Sequence, residues 1–461
     1  MEKSSITKVL ELCKVSPPPN SSPPTTLPLT FFDIPWLFFS PCQPLFFYEY
    51  SHSTSHFISS TLPNLKLSLS LALKHFFPFL GNLVVSSNDS NMPKIVYNEG
   101  DCVSFSVAES NGDFRCFTSN HGREVHEFYP LVPELATSGG AIPLLAVKVT
   151  IFPHMGICIG LAYHHVAADG RTFNNFIKAW SSLCANSCFL INSLPSFDRS
   201  VIKDSHGLEE IFLEELWKIK SSQEMIIGTE TNVDLSNMVR STFVVSSLDM
   251  ERIKKWVIGQ CKKKSQPQPI HLSPYVLTCS FIWVCLVKTQ TQTSQPENHH
   301  YSDDEPNYFG FIAGGLTRFD YPVPTSYFGN CVGFGRSIAT RGELKGEDGI
   351  IVAANVIGNM IKKLDKEMLF EAERWIWDWK KMFELEVHVM IFGSPKLDFY
   401  ETDFGWGRPK KIEEISIDRS RAISLTESRD FKGGIEVGIA LPKNQMEVFS
   451  SLFIEGLQIL Q

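Results

Sequence analysis

Two histidines stand side by side in His164-His165-Val166-Ala167-Ala168-Asp169-Gly170, directly after a run of apolar residues. An imidazole titrates near neutrality, so it can take a proton from a hydroxyl and later return one. His165 is the candidate base, with Asp169 four residues on and Gly170 able to relieve a tight turn. Ester formation by acyl transfer needs such a base, together with a hydrogen-bond donor for the tetrahedral oxyanion. Asp403-Phe404-Gly405-Trp406-Gly407 is a second signature, two rings bracketed by glycines. It reads either as part of the chemistry or as a structural turn whose glycines take unusual backbone angles. A His-x-x-x-Asp spacing also arises by accident among 13 histidines. His164, His165 and Asp169 could bind a metal as well, but no convincing further ligand accompanies them.

Strand and helix signals position the histidines. Val147, Val149 and Ile151 alternate with Lys148 and Thr150, which predicts a strand with one wet face. Ile157, Ile159, Leu161 and Tyr163 alternate with the small Cys158, Gly160 and Ala162, which predicts a strand buried on both sides. Phe173, Phe176, Ile177, Trp180 and Leu183 then form one face of a helix. His165 is therefore expected on a strand-to-helix loop, where a side chain can be held in a cleft. Other helical faces are Leu65, Leu69, Leu73 and Phe76, ended by Pro78 and Gly81, and Met250, Ile253, Val257 and Cys261. Val352, Val356, Met360 and Leu364 give another, as do Met446, Phe449, Phe453 and Leu457. The proline-rich residues 17–28 should be extended and irregular, and residues 289–306 a surface loop.

At 461 residues the chain exceeds one ordinary hydrophobic core. Two domains are expected, residues 1–191 and 211–461, joined by a crossover at 192–210. A net charge of −8 is a poor footprint for nucleic acid or an anionic membrane. Eleven cysteines, an odd number with no Cys-x-x-Cys pair, argue against a disulfide framework or a zinc site and fit a reducing compartment. Glu11 and Lys14 interrupt the only apolar stretch at the N-terminus, and no segment approaches 18 uninterrupted apolar residues. The expectation is a soluble, cytoplasmic monomer that binds neither nucleic acid nor membrane and holds no metal.

Tyr327-Phe328-Gly329-Asn330-Cys331 completes the set of motifs. With His165-x-x-x-Asp169-Gly170 and the Asp403 signature, it stands in the order and separation seen in plant BAHD acyl-CoA-dependent acyltransferases, which this chain resembles over nearly its whole length. Leu27-Pro28-Leu29-Thr30-Phe31-Phe32-Asp33 and Gly393-Ser394-Pro395 extend the likeness. The third motif resembles the branch that acylates anthocyanins and other phenolic glucosides, often with malonyl-CoA.

The resemblance implies an α/β fold of mixed sheets, in two chloramphenicol-acetyltransferase-like domains. The active site would lie in a channel between them, with His165 at its middle. Asp169 would orient the loop through a salt bridge with an arginine, and the Asp403 motif would be structural. Ser394 or a nearby backbone N–H is the candidate oxyanion donor. Arg171 is the candidate grip for a malonyl carboxylate, the alternative being a helix-start arginine that pairs with Asp169. His271, Ser273, Arg318 and Asn330 are the other coenzyme-side candidates. Relatives commonly carry Asp-Cys-Arg shortly before Tyr-Phe-Gly-Asn-Cys, whereas this chain has Gly314-Gly315-Leu316. The function implied is malonyl transfer from malonyl-CoA, a co-substrate rather than a bound cofactor, to a sugar hydroxyl of a phenolic or flavonoid glucoside. The alternatives are acetyl or hydroxycinnamoyl transfer, or a catalytically silent relative that binds phenolics.

Overall fold

A computed structural model describes residues 7–85, 92–135, 142–186, 194–221, 235–294, 302–384 and 388–459. Two large sheets carry the architecture. The first half of the chain supplies β1 (Thr7–Val15), β2 (Pro44–Glu49), β3 (Val103–Ser110), β4 (Arg123–Glu124), β5 (Leu145–Phe152) and β6 (Gly156–Tyr163). The second half supplies β7 (Met238–Val245), β8 (Pro306–Gly314), β9 (Val332–Thr340), β10 (His388–Gly393), β11 (Lys411–Glu414), β12 (Ala422–Glu427) and β13 (Ile435–Pro442).

The first sheet has the order β1-β3-β5-β6-β2-β11 and the second β9-β8-β10-β12-β13-β7-β4. Both are mixed: β3 and β5 run parallel, as do β8, β10 and β12, while the other neighbours are antiparallel. Each sheet ends on a strand from the other half of the chain, β11 in the first and β4 in the second. A smaller four-stranded sheet lies beside the first.

Eight helices of ten residues or more occur among the described residues: α1 (Leu62–His75), α2 (Gly170–Cys184), α3 (Leu208–Ser221), α4 (Ser247–Lys263), α5 (Pro274–Thr293), α6 (Gly349–Leu364), α7 (Trp375–Glu384) and α8 (Lys443–Ile459). α4 opens on a capping box in which Ser246 and Asp249 satisfy each other's backbone N–H. Its buried side, Met250, Ile253, Val257 and Cys261, is the one the spacing predicts. α8 likewise buries Met446, Phe449 and Phe453.

Three expectations differ from what is seen. The face of β5 expected to be wet is mostly covered. Thr150 is fully buried and Lys148 half-buried. α6 buries Leu364 of the predicted face, while Val352, Val356 and Met360 are only partly buried against the core and Ile351, Ala354, Ile357 and Gly358 are fully buried, so its packed face is wider than predicted and centred to one side. The stretch from residue 289 begins as the end of α5, not as loop. There Thr289, Thr291 and Thr293 donate their hydroxyls back to carbonyls four residues earlier, so their polarity is absorbed within the helix. Residues 295–301 of that stretch lie outside the described residues.

Every residue of β6 is buried, as expected for its small-and-apolar alternation. Gly160 is required there, since a Cβ would stand 2.3 Å from the Leu131 carbonyl oxygen. β6 hydrogen-bonds to β5 and β2 and ends at Tyr163, fixing where the chain delivers its histidines.

Candidate active site

His165 begins a single 3₁₀ turn, His165–Ala167, between β6 and α2, on the strand-to-helix loop the sequence predicts. Two neighbours hold its ring. The Trp36 indole stacks on it with centroids 3.7 Å apart and planes 15° from parallel. Asn330 sits behind its backbone, and its Nδ2 donates to the His165 carbonyl at 3.0 Å and the Val166 carbonyl at 3.3 Å. Nδ1 of His165 is sealed from solvent without a hydrogen-bond partner, and the residue as a whole is partly exposed.

Burial pushes the His165 imidazole down from the ordinary 6.5 to about 4, against the opposing pull of Asp169, its own carbonyl and Asn330. It is therefore neutral at physiological pH, the form a general base requires. His164 is also held near 4, by burial first and then by the charge of its neighbour. Its Nδ1 accepts from Val166 N, so it serves the turn. Among the described residues no three His, Cys, Asp or Glu side chains stand close enough to share a metal ion.

Asp169 makes no hydrogen bond to His165 among those of the loop. It caps α2, with Oδ1 accepting from Thr172 N at 2.8 Å. Oδ2 accepts from Cys331 N at 3.1 Å, and Arg171 lies 3.6 Å away. One carboxylate thus ties the loop of the first sheet to the Tyr327–Cys331 segment. Asp33 makes the matching tie. Its Oδ1 accepts from Asn330 N and Nδ2, and its Oδ2 from Thr30 N and Oγ1. Arg199, from the crossover, approaches Asp33 at 3.8 Å and donates to the Tyr327 hydroxyl and the Phe328 carbonyl. Trp36, Asp33 and Arg199 were not singled out as site residues by spacing. Nothing local marks them, because their partners lie 130 to 300 residues away.

Two of the coenzyme-side expectations change. Asn330 is fully buried and bonded to protein, so it holds the base loop rather than facing open space. Arg171 has its NH1 on the carbonyls of Thr325 and Tyr327, at 2.8 and 2.9 Å, and its NH2 on the Thr172 hydroxyl. Those carbonyls, brought alongside by the fold, hold Nη1, and the pairing with Asp169 is the alternative the sequence offered.

The other coenzyme-side candidates converge. Ser273 caps the N-terminus of α5, and the His271 carbonyl packs on Gly358 of α6. Burial lowers the His271 imidazole, followed by the charges of Lys362 and, more weakly, Lys396. Arg318 pairs with Asp365 at 3.0 Å, and Lys362 with the same carboxylate at 3.2 Å. Arg318, Lys362 and Lys396 thus outnumber Asp365, which pairs with the first two, beside the positive end of a 20-residue helix. Ser394 lies partly buried in the turn after β10, its Oγ accepting from Lys396 N at 3.3 Å. The Leu397 carbonyl of that turn accepts from Asn174 of α2, so the turn spans the basic cluster and the helix that follows the base.

The Asp403 signature stands apart from this chemistry. Asp403 Oδ1 accepts from the backbone N–H of Gly405 and Gly407, whose φ angles of +95° and +88° suit glycine. Phe404 packs edge-on against Trp180 of α2, and Trp406 stacks with Phe404 and meets Tyr48 of β2. The turn thus packs behind α2 and against β2.

The sequence signature of the Transferase family covers residues 11–455. A malonyl-coenzyme A:anthocyanin 3-O-glucoside-6''-O-malonyltransferase of Dahlia pinnata is 38% identical, over 98% of this chain and 97% of that one. A coumaroyl-CoA:anthocyanidin 3-O-glucoside-6''-O-coumaroyltransferase of Arabidopsis thaliana is also 38% identical, over the same shares. Among solved structures, vinorine synthase superposes with a TM-score of 0.69 over 97% of this chain and 98% of that one. At 19% identity, that likeness concerns the fold.

Proposed function

The chain belongs to the Transferase family, the BAHD acyl-CoA-dependent acyltransferases, and from that premise we propose that it moves a malonyl group from malonyl-CoA to a sugar hydroxyl of a phenolic or flavonoid glucoside. The observation that carries the reading is His165, neutral, stacked on Trp36 at the end of β6 and partly exposed. The reaction runs in a ternary complex. His165 takes the proton of the sugar hydroxyl as its oxygen attacks the thioester carbonyl. The oxyanion is met by Ser394 or a backbone N–H. Collapse expels the coenzyme thiolate, which regains the proton from His165, and no acyl group rests on the protein.

The basic cluster of Arg318, Lys362 and Lys396 near His271 and the start of α5 suits the phosphates of the coenzyme. The Gly314-Gly315-Leu316 departure lies beside this cluster. Gly315 N donates to the Cys331 carbonyl, and Arg318 folds back onto the Gly314 carbonyl, so the segment stays ordered around its remaining arginine. The two sheets, with a division near residues 192–210, form the halves between which donor and acceptor meet. We assign the acyl-CoA a substrate's place and propose that the protein works as a cytoplasmic monomer. No helix among the described residues is long and apolar enough to cross a membrane.

The testing experiment is mass spectrometry of products from malonyl-, acetyl- and coumaroyl-CoA, each with a panel of phenolic glucosides. The expected result is a malonylated glucoside as the dominant product. Coumaroyl ester as the main product would overturn the donor assignment, and no product with any donor would overturn the activity.

A further inference from the structure

We infer that Trp36 is a positioning residue for the proton transfer, the face of its indole meeting the positive charge that His165 takes on with the proton of the sugar hydroxyl. This rests on the acyl-transfer reading above, in which His165 is the base, and adds to it what steadies that base once charged. The ring gains one proton and one charge as the hydroxyl oxygen attacks the thioester carbonyl. It loses both when the proton passes to the coenzyme thiolate.

Three observations point to the indole. First, among the described residues no carboxylate accepts a hydrogen bond from the ring. Nδ1 of His165 is buried without a partner. The nearby acids are engaged elsewhere, Asp169 with Thr172 N and Cys331 N, and Asp33 with Thr30 and Asn330. A Ser-His-Asp triad gives its histidine a carboxylate at that nitrogen to stabilise the imidazolium. Here burial holds the imidazole down to about 4, so the charged form needs another partner.

Second, the stack is closer than uncharged rings prefer. The two centroids are 3.7 Å apart with planes 15° from parallel, whereas neutral aromatic pairs settle at roughly 4.5–7 Å, offset or edge to face. A cation within about 6 Å of a ring face is attracted to it, most strongly by indole. The other ring neighbours of Trp36, Phe39 and Trp379, stand at 5.0 and 5.1 Å and are tilted by 57° and 48°. Tyr163, the other ring beside His165, is 6.5 Å from it. Third, one residue fixes both members of the stack. The Asp33 carbonyl accepts from Trp36 N at 3.1 Å. Its Oδ1 accepts from Asn330 Nδ2, which also donates to the His165 carbonyl. Indole and imidazole are thus set from the same point, as suits a contact whose strength depends on distance.

Graded fluorination tests the charge at nearly constant shape, because each added fluorine weakens the negative face of an indole. Tryptophan, 5-fluoro-, 5,7-difluoro- and tetrafluorotryptophan are placed at residue 36 of the full chain by nonsense suppression. With malonyl-CoA and a phenolic glucoside, kcat should fall stepwise along the series, about tenfold at its end. Both KM values and the melting temperature should stay level. A flat kcat would overturn the inference and leave the indole a mere cover. So would a loss expressed in the glucoside KM, which would place the indole against the acceptor. A second readout needs no turnover: the imidazole nitrogen shifts of His165 at about pH 5, assigned by their loss in His165→Ala. Asp169, Asp33 and His164, the charged and titratable neighbours, are the same in every member. The protonated fraction should therefore shrink as the indole face weakens, and a constant fraction would overturn the inference. Absence of product with every donor would sink the proposed activity and leave this titration to decide the stack.

Discussion

At the scale of single residues, the neutrality of His165 is the property that matters most, and it has a measurable consequence. Its folded value near 4 lies below the ordinary 6.5, so the folded protein binds fewer protons than the unfolded chain between those values. Its contribution to stability is fully present above 6.5 and fades as pH falls towards 4. The same shift keeps the base competent in mild acid. The acid limb of kcat/KM is therefore expected well below 6.5, and a limb at 6.5 or above would show a solvated imidazole instead. Arg171 gives a second prediction. With NH1 on two backbone carbonyls, Arg171→Ala should cost malonyl and acetyl transfer about equally. A loss confined to malonyl-CoA in parallel kcat/KM measurements would restore the carboxylate-gripping role. A candidate base could be named from the chain because His165, Asp169 and Gly170 are close in sequence. The residues that hold it were not, since Trp36, Asp33, Arg199 and Asn330 meet only through the fold.

Elements show a similar contrast. β6 and α2 could be read from periodicity because both are buried in the way their patterns imply. β5 could not, since alternation with lysine and threonine looks the same whether the second face meets water or another layer. The end of α5 was hidden by composition, its threonines satisfying themselves on the helix backbone. The packing of the glycine-aromatic turn against Trp180 and Tyr48 fits its structural reading, and that reading predicts a separable effect. Gly405 has φ +95° but open space, its nearest neighbour being Ala185 Cα at 3.6 Å from a built Cβ. Gly405→Ala should therefore act through backbone strain alone, costing about 1–2 kcal/mol of stability. Denaturant unfolding should register that loss, while kcat of the folded enzyme stays near that of the parent. A large drop in kcat at full folding would place the turn in the chemistry.

The whole molecule is held together by exchange between its two sheets, which composition and local pattern cannot reveal. β11 leaves the second half to pair with β2, and β4 leaves the first to pair with β7. A buried ionic cluster stands where they cross. Glu413 of β11 meets Arg123 of β4 at 2.7 Å and Arg240 of β7 at 3.0 Å, and Arg240 also grips Asp418 at 3.0 Å. Burial alone would raise the Glu413 carboxyl, but Arg123 and Arg240 bring it down to about 2, so this tie should persist until strong acid. Glu413→Gln leaves two buried guanidinium groups short of charge and should cost about 3–5 kcal/mol in denaturant unfolding. A loss below about 1 kcal/mol would mean that the junction tolerates separation.

These ties between the sheets keep Cys331 N on Asp169 and Asn330 on the His165 loop, so the central claim concerns the base they position. The most direct measurement is kcat of His165→Ala with malonyl-CoA and a phenolic glucoside both saturating. The account predicts a fall of about a hundred- to ten-thousand-fold, with the thermal shift given by malonyl-CoA retained. A kcat within a few-fold of the parent would show that His165 does not take the proton.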